Sequence, residues 1–293
     1  MNIVFYTSGI SGIGRLAVGV AIYNALKRNN ISCNYSMLTH SPMGYIAQDV
    51  GIEHIYIPLE DEVQLSKKNY RKSILYHTVT VLKPDILIVY LQWFTLDQFI
   101  HELTCKKIFL MHNVTPNFFS FATQYGEYEF NPKHYHYCFA IEPFNPPFEA
   151  KEINPLIMKN HDEILPKKEA KEKLQLPLNK KICLISISGN EHEFDDYVKK
   201  YTIELSSEYD FFVTSNHEDQ NIFPIIDYFN AFDCIVCGAG YNSFWETRFF
   251  TKKAYTIPLK RVFEDQSYRV KHFSNYTFTR NGADQLVELI VTI

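Results

Sequence analysis

Short apolar runs followed by amphipathic stretches recur along the whole of this sequence, and the rhythm is interrupted once, by the closely spaced Pro143, Pro146, Pro147 and Pro155. Proline fixes φ and lacks an amide hydrogen, so such a cluster suits neither a helix nor a central strand. The segment reads as an extended linker between two strand–helix series. Before it, apolar runs predict strands at residues 2–6, 31–37, 54–57, 86–90, 108–111 and 137–141, and helical periodicity predicts helices over 15–28, 43–50 and 66–82, the last stopped by Pro84. After it, strands are expected at 182–187, 211–214, 234–237 and 254–257, with helices at 167–174, 194–205, 225–229, 241–250, 265–273 and 283–290. The runs at 86–90 and 108–111 are apolar without alternation, as in strands covered on both faces. This pattern in both halves predicts an α/β chain of two Rossmann-like, doubly wound parallel-sheet domains facing each other across a cleft, the first over 1–150 and the second over 151–293.

Composition narrows the functional classes. At 293 residues the chain can hold two domains with cores of their own. A hydrophobic fraction of 46% with 21% charged residues excludes a disordered chain, and a net charge of −4 gives no support for a nucleic-acid partner. No apolar run approaches the ~18 residues of a membrane span. Residues 1–6 run directly into a strand pattern with no basic leader, so a cytoplasmic location is expected. The aromatic run Phe118-Phe119-Ser120-Phe121 leaves peripheral contact with the inner face of a membrane, or with an apolar acceptor, open; buried packing is the plainer reading. Cys33, Cys105, Cys138, Cys183, Cys234 and Cys237 lie scattered, mostly in apolar runs, which suits reduced thiols. Cys234 and Cys237 form a C-x-x-C, but on a strand positions three apart face opposite ways, so core packing is favoured over metal or redox chemistry.

The segment richest in chemistry is Asp233 to Glu246, where a buried strand ends in Gly238-Ala239-Gly240 and a helix starts at once. Small residues admit close approach of a ligand to the backbone, and helix N-terminal amides favour a phosphate. Asn242 and Ser243 add donors in the first turn. Glu246, one turn further in, is placed to accept from ribose hydroxyls. The bland alternative is a tight turn with Asn242 or Ser243 as a helix cap.

Gly240-Tyr241-Asn242-Ser243-Phe244-Trp245-Glu246 resembles the Gly-Trp-Asn-Ser-x-x-Glu core of the plant UDP-glycosyltransferase signature, with Tyr241 for Trp, and the wider segment resembles the donor site of nucleotide-sugar glycosyltransferases of the GT-B fold. The acid–Gln pair that binds the donor sugar in that family is matched by Asp265-Gln266, after Thr256-Ile257-Pro258. Residues 222–232 resemble the short helix preceding this strand in the family-28 N-acetylglucosaminyltransferases of peptidoglycan synthesis, which implies base contacts from Asn221, Ile222 and Phe223. Residues 182–189 match a strand ending in a Ser/Gly loop near the donor phosphates, which implies roles for Ser188 and Gly189. Gly9-Ile10-Ser11-Gly12-Ile13-Gly14 matches the acceptor-side glycine-rich loop, and residues 109–113 resemble the family-28 strand that ends in a His and an Asn, here His112 and Asn113. The likeness is thin over most of the chain and dense from 222 to 266.

What the resemblance implies is a metal-independent transfer of a hexosyl or N-acetylhexosaminyl group from a nucleotide-sugar, UDP-linked by expectation, to an acceptor hydroxyl, with no cofactor beyond that donor. The sequence departs from the family at Arg15, where a His is usual near the first glycine-rich loop. Arginine stays protonated and is no ordinary base; it suits an anionic acceptor or a phosphate. His112, at a strand's carboxyl end, becomes the leading candidate for general base, against a purely structural role. His134 and His136 alternate on a strand without a further ligand at metal-like spacing, so no metal site is expected. Glu191, His192, Glu193, Asp195 and Asp196 read as a solvated helix start. The rival readings are a nucleotide-sugar hydrolase or epimerase on the same fold, and a non-catalytic nucleotide-sugar-binding or partner subunit.

Overall fold

The structure is a computed structural model describing residues 1–8, 13–124, 126–187, 191–214 and 221–292, with 191–193 described by backbone alone. The chain divides into two compact units, one made of residues 1–156 and 282–293, the other of 157–281.

In the first unit, strands β1 (Asn2–Thr7), β2 (Asn34–Thr39), β3 (Glu53–Tyr56), β4 (Ile86–Tyr90) and β5 (Lys106–Met111) join the later β8 (Tyr137–Ala140) and β9 (Lys151–Glu152) in one sheet. Its order is β3-β2-β1-β4-β5-β8-β9, and every pair in it is parallel. β1, β4 and β5 are buried almost end to end, so their side chains are apolar on both faces. Helices α1 (Gly14–Arg28), α2 (Tyr45–Asp49) and α3 (Ile74–Leu82) fill the crossovers. α3 is shorter than the periodicity predicts. Ser73 caps it by accepting from the Tyr76 amide, and the buried Glu60 carboxylate accepts from Ile74 and Leu75 N–H, so residues before 73 form turns and a 3-10 segment. The aromatic run at 118–121 leads into a hairpin that periodicity did not show, β6 (Ser120–Thr123) against β7 (Gly126–Glu129). Phe118 and Phe119 are buried beneath it.

The second unit carries α4 (Lys167–Lys173), β10 (Ile182–Ser186), α5 (Glu191–Leu205), β11 (Asp210–Thr214), a 3-10 helix (Ile225–Ala231), β12 (Cys234–Gly238), α6 (Tyr241–Phe249), β13 (Ala254–Ile257) and α7 (Gln266–Phe273). Its parallel sheet runs β11-β10-β12-β13 over a core that includes Cys183, Ile185, Phe194, Val236, Ile257 and Leu259. Cys234 and Cys237 are buried free thiols on β12, Cys234 in register with Cys183 on β10.

The units do not divide the chain at residue 150 with everything beyond in the second. The chain leaves the first unit after Leu156 and returns at Gly282 to form α8 (Gly282–Ile290). α8 buries Ala283, Leu286, Val287 and Ile290, packs on α1, and Asp284 receives the Arg28 Nε hydrogen bond at 2.8 Å. Helical periodicity shows that such a helix has an apolar face, not which core that face covers. Among the described residues no helix is long and apolar enough to cross a membrane.

Candidate active site

Open parallel sheets offer ligand crevices beyond their carboxyl ends where the strand order reverses. In the second unit that point lies between β10 and β12. The loop after β10 contains Ser188 and Gly189, which lie outside the described residues. The turn after β12 is the predicted Gly238-Ala239-Gly240. Gly238 and Ala239 are buried, and the Ala239 amide donates to the Ile257 carbonyl at 2.7 Å, which holds the turn to β13. Gly240 is half-exposed and is the N-cap of α6, with φ −60 and ψ 155. It carries no side chain, and neither Asn242 nor Ser243 occupies the cap position; both are half-exposed in the first turn. Glu246 is only 9% exposed, and among the described residues no group donates a hydrogen bond to its carboxylate. Burial alone pushes its carboxyl up to about 7. A buried acid left without donors is a costly feature, of the kind that marks a ligand position. Ile222 and Phe223 are half-buried on the segment leading into the 3-10 helix.

The predicted acid–Gln pair lies beside this turn, in an arrangement the sequence did not show. Asp265 is exposed and caps α7, accepting from the Tyr268 amide at 2.9 Å. Gln266 is buried: its Oε1 accepts from Leu259 N–H at 2.9 Å and its Nε2 donates to Glu264 at 3.0 Å. A Cβ on Gly240 would sit 3.9 Å from that Nε2, so Gln266 and the turn are neighbours. Arg269, fully buried, donates from Nη1 to Glu264 Oε1 at 2.5 Å and to the Ala239 carbonyl at 2.7 Å.

In the first unit the order reverses between β1 and β4. Gly9, Ser11 and Gly12 lie outside the described residues. Gly14 opens α1, and Arg15 is half-buried in its first turn, donating from Nη1 to Gln92 Oε1 at 3.1 Å. A cation there opposes the helix dipole, and no acid stands in that turn, so an anion is favoured at this end. Gln92 is delivered by a tight turn at the end of β4. Leu91 has φ 63, and Gln92 N–H donates to the Tyr90 carbonyl at 2.8 Å. A branched residue rarely takes that conformation, and such strain gathers at functional edges. His112, at the end of β5, is 9% exposed, with Nδ1 2.6 Å from the Tyr90 hydroxyl. The next residue, Asn113, donates its amide to the fully buried Glu142 at 2.6 Å, and its buried Nδ2 finds no acceptor among the described residues. His134 and His136 are engaged separately, His134 with Asn131 at 3.2 Å and His136 accepting from Lys107 N–H at 3.1 Å. Among the described residues no cluster of His, Cys, Asp and Glu is arranged to hold a metal ion.

No protein-family model and no curated protein matches the sequence. Solved structures do match in shape. The spinosyn forosaminyltransferase SpnP aligns with TM-score 0.66 at 12% identity, covering 99% of this chain and 90% of its own. The glycosyltransferase VinC, solved in complex with dTDP, aligns with TM-score 0.60 at 10% identity over the same shares. MurG of Acinetobacter baumannii aligns with TM-score 0.57 at 12% identity, again over 99% and 90%. This chain has the GT-B fold. Within a GT-B chain, the structure brings Gly238, Ala239, Gly240 and Gln266 into one neighbourhood in the second unit, and sets Arg15 and His112 at the carboxyl edge of the first unit's sheet. Sequence reasoning missed Glu264, Arg269, Tyr90, Gln92 and Glu142. Nothing in the pattern of α7 separates a buried arginine from its exposed neighbours, and the Leu91 turn lacks the glycine that would have signalled it.

Proposed function

We propose that this protein is a glycosyltransferase that moves a sugar from a nucleotide-sugar, UDP-linked by expectation, to an acceptor hydroxyl. The observation that carries the reading is Glu246, a buried carboxyl with no donor among the described residues, in the helix whose N-cap is the open Gly240. In this reading the diphosphate docks on the backbone of the Gly240 turn and the Glu246 carboxylate accepts from the ribose hydroxyls. Ile222 and Phe223 flank the base. The exposed Asp265 carboxylate, which keeps an oxygen beyond its capping bond, meets the sugar hydroxyls. Departure of the nucleotide builds negative charge on the β-phosphate, and the fixed amides stabilise it without reorganising. No metal or further cofactor is required by that scheme.

The acceptor belongs to the first unit. His112 takes the acceptor proton at Nε2, which requires its Nδ1–H to donate to Tyr90 Oη. Arg15 holds an anionic group of the acceptor. A solved GT-B structure with dTDP bound supports a nucleoside diphosphate as the shared ligand chemistry.

Calorimetric titration of UDP and dTDP into the native protein and into Glu246→Ala tests this. The native protein is expected to bind one of them, and the variant to bind it about tenfold more weakly. Equal affinity in both removes the ribose role from Glu246, and absence of binding by the native protein removes the whole reading.

A further inference from the structure

The Ala239–Gly240 peptide has one end tied down and the other open. Ala239 donates its own amide to Ile257 and accepts at its carbonyl from Arg269 Nη1 at 2.7 Å. The peptide is trans, since the only cis bond among the described residues is Phe223–Pro224. In a planar trans peptide the carbonyl oxygen and the amide hydrogen point in opposite directions. A guanidinium that holds the Ala239 oxygen therefore aims the Gly240 N–H away from itself. Among the described residues nothing accepts from that N–H.

We infer that Arg269 is a positioning residue that orients the Gly240 amide as a donor to the β-phosphate of a bound nucleoside diphosphate. The inference rests on the glycosyltransferase reading above. Arg269 is fully buried, and its charge is matched by Glu264 at 2.5 Å. Glu264 is in turn held by Gln266, whose other end bonds Leu259 N–H. The carboxylate, the amide and the guanidinium thus form one brace from the β13–α7 loop to the Ala239 carbonyl. A planar, rigid guanidinium fork suits this role, because a single Nη reaches both the carboxylate and the carbonyl. The sequence match to an acid–Gln pair then acquires a different meaning at Gln266. Its amide is spent on the brace, and its effect on the donor passes through Gly240.

The geometry at Gly240 permits a test of a single hydrogen atom. Its φ of −60 is the value proline imposes, and a Cβ there meets nothing closer than 3.9 Å. Gly240→Pro deletes the N–H, whereas Gly240→Ala adds a similar Cβ and keeps it. Titration of UDP and of uridine into both is expected to show UDP affinity reduced about tenfold or more in the proline variant. The alanine variant keeps the N–H and should bind UDP several-fold more tightly than the proline variant, with uridine affinity alike in the two. Arg269→Met should reproduce the proline result for UDP. In the native protein the Gly240 amide proton should move downfield with UDP and stay in place with uridine. Equal UDP affinity for the proline and alanine variants overturns the inference, as does a Gly240 amide that UDP leaves unmoved while neighbouring amides shift. Failure of the native protein to bind any nucleoside diphosphate overturns it together with the reading on which it rests.

Discussion

At the scale of single residues, Glu246 ties binding to stability. Its carboxyl sits at about 7 instead of the ordinary 4.5 because the folded chain disfavours the charged form. A raised acid pKa favours folding fully below pH ~4.5; that contribution falls away as pH rises through about 7 and is absent above it. The displacement corresponds to about 3 kcal/mol by the usual conversion. Glu246→Gln is therefore expected to be more stable than the native protein at pH 8, by several degrees of melting temperature, with the difference closing toward pH 4.5. Nucleotide affinity should behave in the opposite sense. Only the charged form accepts two ribose hydroxyls, so native affinity rises with pH through about 7, while that of Glu246→Gln stays low and flat. Thermal melts and titrations across pH 5 to 9 read both effects, and a native melting curve parallel to that of the variant contradicts the burial argument. A second residue prediction concerns Tyr90. If its oxygen holds His112 in the tautomer that leaves Nε2 free, Tyr90→Phe lowers kcat for transfer by about tenfold and leaves nucleoside diphosphate affinity unchanged. A fall in affinity with kcat intact would place Tyr90 elsewhere. Glu246 was legible in the sequence because its offset from Gly240 is a local property. Arg269 was not, because its partner Ala239, on the turn after β12, meets it only through the folded sheet.

Elements were legible where one physical cause decides them. β4 and β5 are covered on both faces, so an unbroken apolar run was sufficient to find them. α3 was misread at its start because periodicity is blind to a capping serine and to a carboxylate arriving from Glu60, a loop residue well upstream. Glycines at helix starts show the same division. Gly240 opens α6 with ordinary dihedrals and free space, so its lack of a side chain is no packing requirement. Gly282 opens α8 where an added Cβ would lie 1.7 Å from the Asn154 carbonyl oxygen, backbone that cannot swing aside. Its amide also donates to the Pro155 carbonyl at 3.0 Å. Gly282→Ala must displace either the start of α8 or the 154–155 segment, at a cost of about 2 to 4 kcal/mol. Urea denaturation measures it, and a variant as stable as the native protein would show that α8 enters along a different path.

For the whole molecule, the unexpected feature is that the first unit is assembled from both ends of the chain. Two α/β sheets followed from the two strand–helix series, but the ownership of the last helix did not, since α8 is amphipathic in either setting and its partner α1, with Arg28 facing Asp284, is far away in sequence. The passages between units run side by side within the second unit, where Ile157 N–H donates to Asn281 Oδ1 at 3.0 Å and Asn281 Nδ2 returns to the Ile157 carbonyl at 2.8 Å. Asn281 thus closes the loop of the second unit just before the chain crosses back. A chain ending at Asn281 keeps every residue of the second unit and loses only α8 and its tail. The loss uncovers the surface beneath Leu286, Val287 and Ile290, worth on the order of 5 kcal/mol of burial to the first unit. Hydrogen exchange on this truncated chain should show protection falling across β1 and α1 while β10, β12 and α6 stay protected, and UDP affinity should remain within about twofold of the full chain, because every donor-side group argued above lies in 157–281. Loss of protection in β12 and α6 to the same degree would mean that the second unit depends on α8, and the division of labour drawn from the contacts would fail with it.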